Sequence, residues 1–169
     1  MTRRLIGCAV LFAACGTAHA EEQLVPRPKG APTLLEALAD GVQIYVCEAK
    51  GSGYEWVFKS PEANLFDRTG RQIGQHYAGP TWMTADRASV VGEVVTKADA
   101  PKPGAVPWLL LRATSHVGTG PVASAAFIRR SDTAGGVAPT GGCDAAHNGE
   151  QARMRYSALY EFIGPAGKP

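Results

Sequence analysis

From Val42 onward the chain is written in short runs that alternate polar and apolar residues, interrupted at intervals of roughly ten residues by glycine or proline. This punctuation, carried by 20 glycines and 12 prolines, leaves no window for a long helix. It commits the chain to many short strands. "VQIYVCEA" places Val42, Ile44 and Val46 on one face and Gln43, Tyr45 and Cys47 on the other. After the turn "GSG", "YEWVFKS" sets Tyr54, Trp56 and Phe58 on one face, so the two runs read as a hairpin. "SVVGEVVTKA", "VPWLLLRATS", "PVASAAFIRRS" and "ARMRYSALYEFI" continue the pattern. "WLLLRA" is apolar without alternation and predicts a strand buried on both faces, whereas "RMRYSALYEF" predicts a half-buried one.

Ahead of these strands, "EEQLVPRPKGAPT" has three prolines and no apolar period, which reads as an extended arm over residues 21–33. "PTLLEALADG" follows, with leucines at 34, 35 and 38 behind Thr33 and a glycine at 41, and predicts one short helix. The expected fold is therefore all-β, an antiparallel β-sandwich or squat barrel with one short N-terminal helix, residues 34–164 forming a single domain. "SDTAGGVAPTGGCDAAHNGE" is expected to be a long glycine-rich loop.

The first twenty residues have a basic start at Arg3 and Arg4, an apolar run from Leu5 to Ala14 and the ending Ala18-His19-Ala20, the anatomy of a secretory signal peptide. The run is too short for a membrane-spanning helix, so no integral membrane span is expected. Lipid attachment at Cys15 is the competing reading of the same stretch. The expected location is periplasmic or secreted. The whole chain has 17 basic and 15 acidic residues, and loss of Arg3 and Arg4 with the signal makes the remainder formally neutral. Nucleic acid as a partner then has no electrostatic support. Cleavage also removes two of the four cysteines. In an oxidising compartment the remaining pair, Cys47 and Cys143, reads as a disulfide, with free thiols as the alternative.

Phosphate-binding glycine motifs, GxSxG, HExxH and calcium loops are all missing from the sequence, and no cofactor is expected. His76, His116 and His147 are candidate zinc ligands together with Asp144 or Asp86, if separate loops bring them together. Ser115 beside His116 is the candidate nucleophile and base. In "HYAGPTW", Gly79-Pro80 makes a turn, and His76, Tyr77 and Trp82 are either a brace beneath it or an aromatic platform for a sugar or flat ligand. Arg129 and Arg130 point to opposite faces of a strand, so one must face inward or toward a partner. Asp132 or Glu161 would satisfy it structurally, and anion binding is the functional alternative.

"GVQIYVCEA", "YEWVFKSPEANLFDRTGRQIGQHYAGPTW", "SVVGEVV", "VPWLLLRA", "FIRRSDTAGGVAP", "GCD" and "RYSALYEF", taken in order, resemble the domain of unknown function 3455, a family of small exported proteins. The resemblance runs from about Gly41 to Phe162, and "HYAGPTW" and "TAGGVAPTGGCD" are its most specific parts. It implies a match at Gln43, Trp56, His76, Tyr77, Gly79, Pro80, Trp82, Arg129, Thr133, Gly135, Gly136, Pro139 and Cys143. The family pattern has a glutamine before a single arginine, and if Arg129 stands in place of that glutamine, Arg130 is the residue that matches. The family implies no activity. The residues favour a non-catalytic binding module for a glycan or small ligand, with His76, Tyr77, Trp82 and Arg130 as ligand-binding candidates. A metal-dependent or hydrolytic enzyme using His76, or a structural or stress-related envelope protein, are the other readings.

Overall fold

Strand follows strand along the chain, each antiparallel to the one before: β1 (Thr33–Lys50), β2 (Gly53–Phe66), β3 (Gln72–Tyr77), β4 (Thr81–Thr84), β5 (Ser89–Ala98), β6 (Trp108–Val117), β7 (Phe127–Gly135) and β8 (Gln151–Ile163). β8 returns to pair with β1, so the sheet closes into an eight-stranded barrel rather than a sandwich. This is a computed structural model, and it describes residues 24–167. The expected signal peptide, Cys15 and the first residues of the arm lie outside them. No helix among the described residues is long and apolar enough to cross a membrane.

The helix expected after Thr33 does not form. That segment is the first half of β1, with Ala37 and Ala39 in the core and Leu38 and Asp40 outside. Leu38 pairs with Phe66 of β2 on one side and Leu159 of β8 on the other. Two ladders of hydrogen bonds outweigh the modest helix preference of leucine and alanine, which is worth only tenths of a kcal/mol per residue. The long segment expected as a loop is also partly strand, since β7 extends to Gly135 before a single 3-10 turn at Ala145–His147.

"WLLLRA" is buried on both faces, as its composition predicts. Leu111 packs in the central core and Leu109 against it, while Trp108 and Leu110 face outward under Val25 of the arm. The arm is fastened there by charge. Arg129 donates from Nε to the Val25 carbonyl at 2.8 Å and from Nη1 to Glu161 at 2.6 Å. Its guanidinium lies over Trp108 at 5.4 Å. Arg27 of the arm reaches Glu161 at 3.6 Å.

The end of the barrel where β1 finishes and β8 begins is covered by residues 136–150. Cys47 and Cys143 are joined by a disulfide across 96 residues of chain. Tyr45 donates to the Gly136 carbonyl at 2.7 Å, and Trp56 Nε1 to the Gly141 carbonyl at 2.9 Å. Gly136 has a φ of +87°, and a Cβ there would lie 2.7 Å from that of Tyr156, so the covering segment presses directly on the barrel interior.

Two predictions follow from these fastenings. The double variant Cys47→Ser, Cys143→Ser loses about 2–5 kcal/mol in urea unfolding, and limited proteolysis of it cuts first within residues 136–150. Glu161→Gln leaves Arg129 a buried cation without its carboxylate and costs about 3–5 kcal/mol by the same measurement.

Candidate functional site

Two strands are too short for the barrel they belong to. β3 has 6 residues and β4 has 4, against 18 in β1. β2 therefore pairs with β3 only from Ala63 to Phe66, and β5 with β4 only from Ser89 to Val91. Beyond those points the upper halves of β2 and β5 have no strand between them. The wall is open there, with Phe58 and Lys59 on one side, Val94 and Lys97 on the other, and the Gly79-Pro80 turn as its sill. Behind the opening lies a cavity of about 610 Å³. Gly79 takes a φ of +100°, which glycine adopts without strain and which lets three residues close the hairpin.

His76 and Trp82, at either end of that hairpin, are direct cross-strand partners. Their rings stack at 4.4 Å and 6°, and the ring of Tyr160 meets each at a steep angle, at 5.1 and 5.3 Å. Gly92 makes room for the indole, because a Cβ there would lie 3.2 Å from Trp82 Cζ3. His76 Nδ1 donates to the Thr81 carbonyl at 2.9 Å, which leaves Nε2 as the acceptor of a neutral ring. Burial pushes the imidazole down to about 3, and the positive charge of Arg130 adds to the shift while the Thr81 carbonyl opposes it.

Arg130 enters the cavity from β7, in register with Leu109 of β6 and Tyr160 of β8. It is 9% exposed. Nε and Nη2 both donate to the Pro107 carbonyl, at 3.0 and 2.8 Å. Among the described residues no carboxylate lies within ion-pair distance of it. Trp82 Nε1 is buried without a hydrogen-bond partner among the described residues, and Gln43 and the Tyr160 hydroxyl form no well-aligned hydrogen bond, although Gln43 lies near Tyr156 and Tyr160 near both Tyr156 and Arg130. Burial raises the pKa of the Tyr160 and Tyr45 hydroxyls, so neither supplies the missing negative charge at neutral pH.

The structure thus brings together His76, Trp82 and Arg130. It does not bring Tyr77 to them. Neighbours on a strand face opposite ways, so Tyr77 stands on the outer surface, 38% exposed, with its hydroxyl 3.8 Å from Met83 Sδ. An open platform made of Tyr77 and Trp82 together is therefore not formed. The other candidates are dispersed. His116 Nε2 bonds the Ala125 carbonyl at 2.7 Å, His147 pairs with Asp144 at 2.7 Å in the covering segment, and Asp86 accepts from Thr84 in the β4–β5 turn. Among the described residues no three histidine, cysteine or carboxylate side chains are placed to hold a metal ion. Of the two arginines, Arg129 takes the structural role through Glu161, and Asp132 pairs with neither.

Tyr45, Phe58, Leu109 and Tyr160 escaped the motif reading because each sits in an ordinary strand. The signal lay in β1, whose inward face is Gln43, Tyr45 and Cys47 while Val42, Ile44 and Val46 face out. A strand whose polar face is the buried one marks an interior that is not simply a core.

A family model described as a protein of unknown function, DUF3455, matches residues 28–164. No curated protein and no solved structure matches the chain.

The depressed pKa of His76 gives a pH test. Folding excludes a proton that the unfolded chain takes up near pH 6.5, so this residue withdraws stability as pH falls from 6.5 toward 3 and contributes no pH dependence above that window. Between pH 7 and pH 4.5 the wild type should lose roughly 2–3 kcal/mol more than a His76→Phe variant, read from paired urea titrations. Equal losses would mean that the ring is accessible to protons in the folded state.

Proposed function

We propose, on the premise that the chain belongs to the DUF3455 family of proteins of unknown function, that it is an exported, non-catalytic binding module that takes one small ligand into its barrel. The observation that carries this reading is the cavity of about 610 Å³ behind the short hairpin, with Arg130 buried in its wall and, among the described residues, no carboxylate paired with it. Eight-stranded barrels either fill their interior with side chains or hold one small ligand. This volume is in the range of small-molecule sites, which are mostly apolar with a few placed polar groups. Tyr45, Phe58, Leu109 and Leu111 supply the apolar lining, and Arg130, Gln43, Trp82 and His76 the polar groups. A free small molecule suits an interior site with a lateral opening better than an extended glycan, which calls for an open groove. The signal-like segment Met1–Ala20 and the disulfide support export to an oxidising compartment.

Catalysis has less to recommend it. His76 is held as a neutral ring, and the lining holds no serine, cysteine or carboxylate for it to activate.

The test is native mass spectrometry of protein purified from its own exported fraction. A retained small molecule is expected in the wild type and is absent from Leu109→Trp, which fills the cavity from a partly buried position. A bare wild-type protein, or an adduct that survives the filling substitution, counts against the reading.

A further inference from the structure

A buried charge is held in a folded protein by a partner, and in that respect the two neighbouring arginines of β7 differ. Arg129 has Glu161 at 2.6 Å, the Val25 carbonyl and the face of Trp108. Arg130 is as deeply buried and has one carbonyl. A guanidinium carries five N–H donors in a rigid fork. Two of those on Arg130 are taken by Pro107 and the neutral Tyr160 hydroxyl lies beside it, which leaves donors and the full positive charge uncompensated in a cavity whose other buried groups are neutral. His76 is deprotonated by burial, and the tyrosine hydroxyls stay protonated. At the opening, Lys59 is neutralised by Glu48 at 2.6 Å. Lys97 has no carboxylate partner among the described residues and adds positive potential at the entrance.

We infer that the ligand is a small organic carboxylate with an apolar body, its head held by Arg130 and its body lying against Tyr45, Phe58, Leu109 and Leu111. This rests on the binding reading above and goes beyond it by fixing the ligand's charge and polarity. One buried cation balances one negative charge. The cavity has no second buried cation of the kind a phosphate dianion would call for. Exposed Phe58 and Val94, 49% accessible each, put apolar surface on both sides of the entrance, where the tail of such a ligand passes or rests.

The experiment compares matched acids and alcohols by isothermal titration: benzoate, 2-naphthoate and octanoate against benzyl alcohol, 2-naphthylmethanol and octanol. The wild type is expected to bind at least one carboxylate tenfold or more tighter than its alcohol. Arg130→Met, of similar bulk and no charge, loses that preference while still binding the alcohol, and Arg130→Lys keeps part of it. Circular dichroism and melting of each variant establish that the barrel is intact. If Arg130→Met does not fold, the lysine variant alone decides, through a reduced acid preference. Alcohols binding as tightly as their acids overturn the inference and leave the binding reading standing. A preference that survives Arg130→Met overturns the role of that residue. If no carboxylate binds at millimolar concentration the inference fails, and the native mass measurement then decides separately whether the binding reading fails with it.

Discussion

The brevity of one hairpin governs the upper half of this barrel. A closed sheet normally gives every strand two neighbours along its length, and its interior is then sealed by the wall itself. Here β3 and β4 stop after 6 and 4 residues, while β2 and β5 run on for 14 and 10. The lower half is closed and packed with Ala37, Ala39, Ala63, Leu65, Ile128 and Phe162. The upper half has a window, and its lining changes character there. The short strands are short because Gly79 and Pro80 turn the chain at that point, so the sequence element that makes the turn also makes the entrance.

The lining shows how adjacent residues acquire unrelated roles from alternation alone. Arg129 and Arg130 share a composition and a neighbourhood, yet a single step along β7 puts one against the outer wall and the other in the cavity. The outer one is embedded in a network of arm, carboxylate and indole that fixes the start of the chain to the barrel. The inner one is left with a lone carbonyl. The same step separates His76, inside, from Tyr77, outside. A small barrel has few interior positions, and here several carry polar atoms that the protein does not itself satisfy.

Most of the fold was legible in the sequence because period-two alternation and turn residues are local signals. The strands and their hairpin connections could be read this way, and the disulfide from the single cysteine pair left once the signal-like segment is set aside. The misreading at residues 34–40 has a physical cause: Leu34, Leu35 and Leu38 spaced as on a helix face are equally compatible with a strand that places Ala37 and Ala39 inward. Only pairing with β2 and β8, which lie far along the chain, decides between them. Choosing a barrel over a sandwich likewise depends on β8 returning to β1, a contact that no window of sequence contains. For the site, "HYAGPTW" drew notice through its aromatic residues and its turn, and Arg130 through the need of paired arginines to face opposite ways. Tyr45 and Tyr160 stayed hidden because a tyrosine in a strand is unremarkable until the face it occupies is known.

The pairing of the first strand with the last reaches beyond static architecture. β1 and β8 are in register from Thr33 with Ile163 to Val46 with Gln151, and Gly164 donates to the carbonyl of Pro32. No stretch of chain that lacks β8 contains the closed sheet. Each such stretch leaves β1 as an open edge with a long loop still to be closed before that edge is rewarded. Closure is therefore the contact of greatest sequence separation in the sheet. The two halves of that ladder must meet across nearly the whole domain, so β1 is the edge that waits longest for its partner and is most exposed to wrong pairing meanwhile.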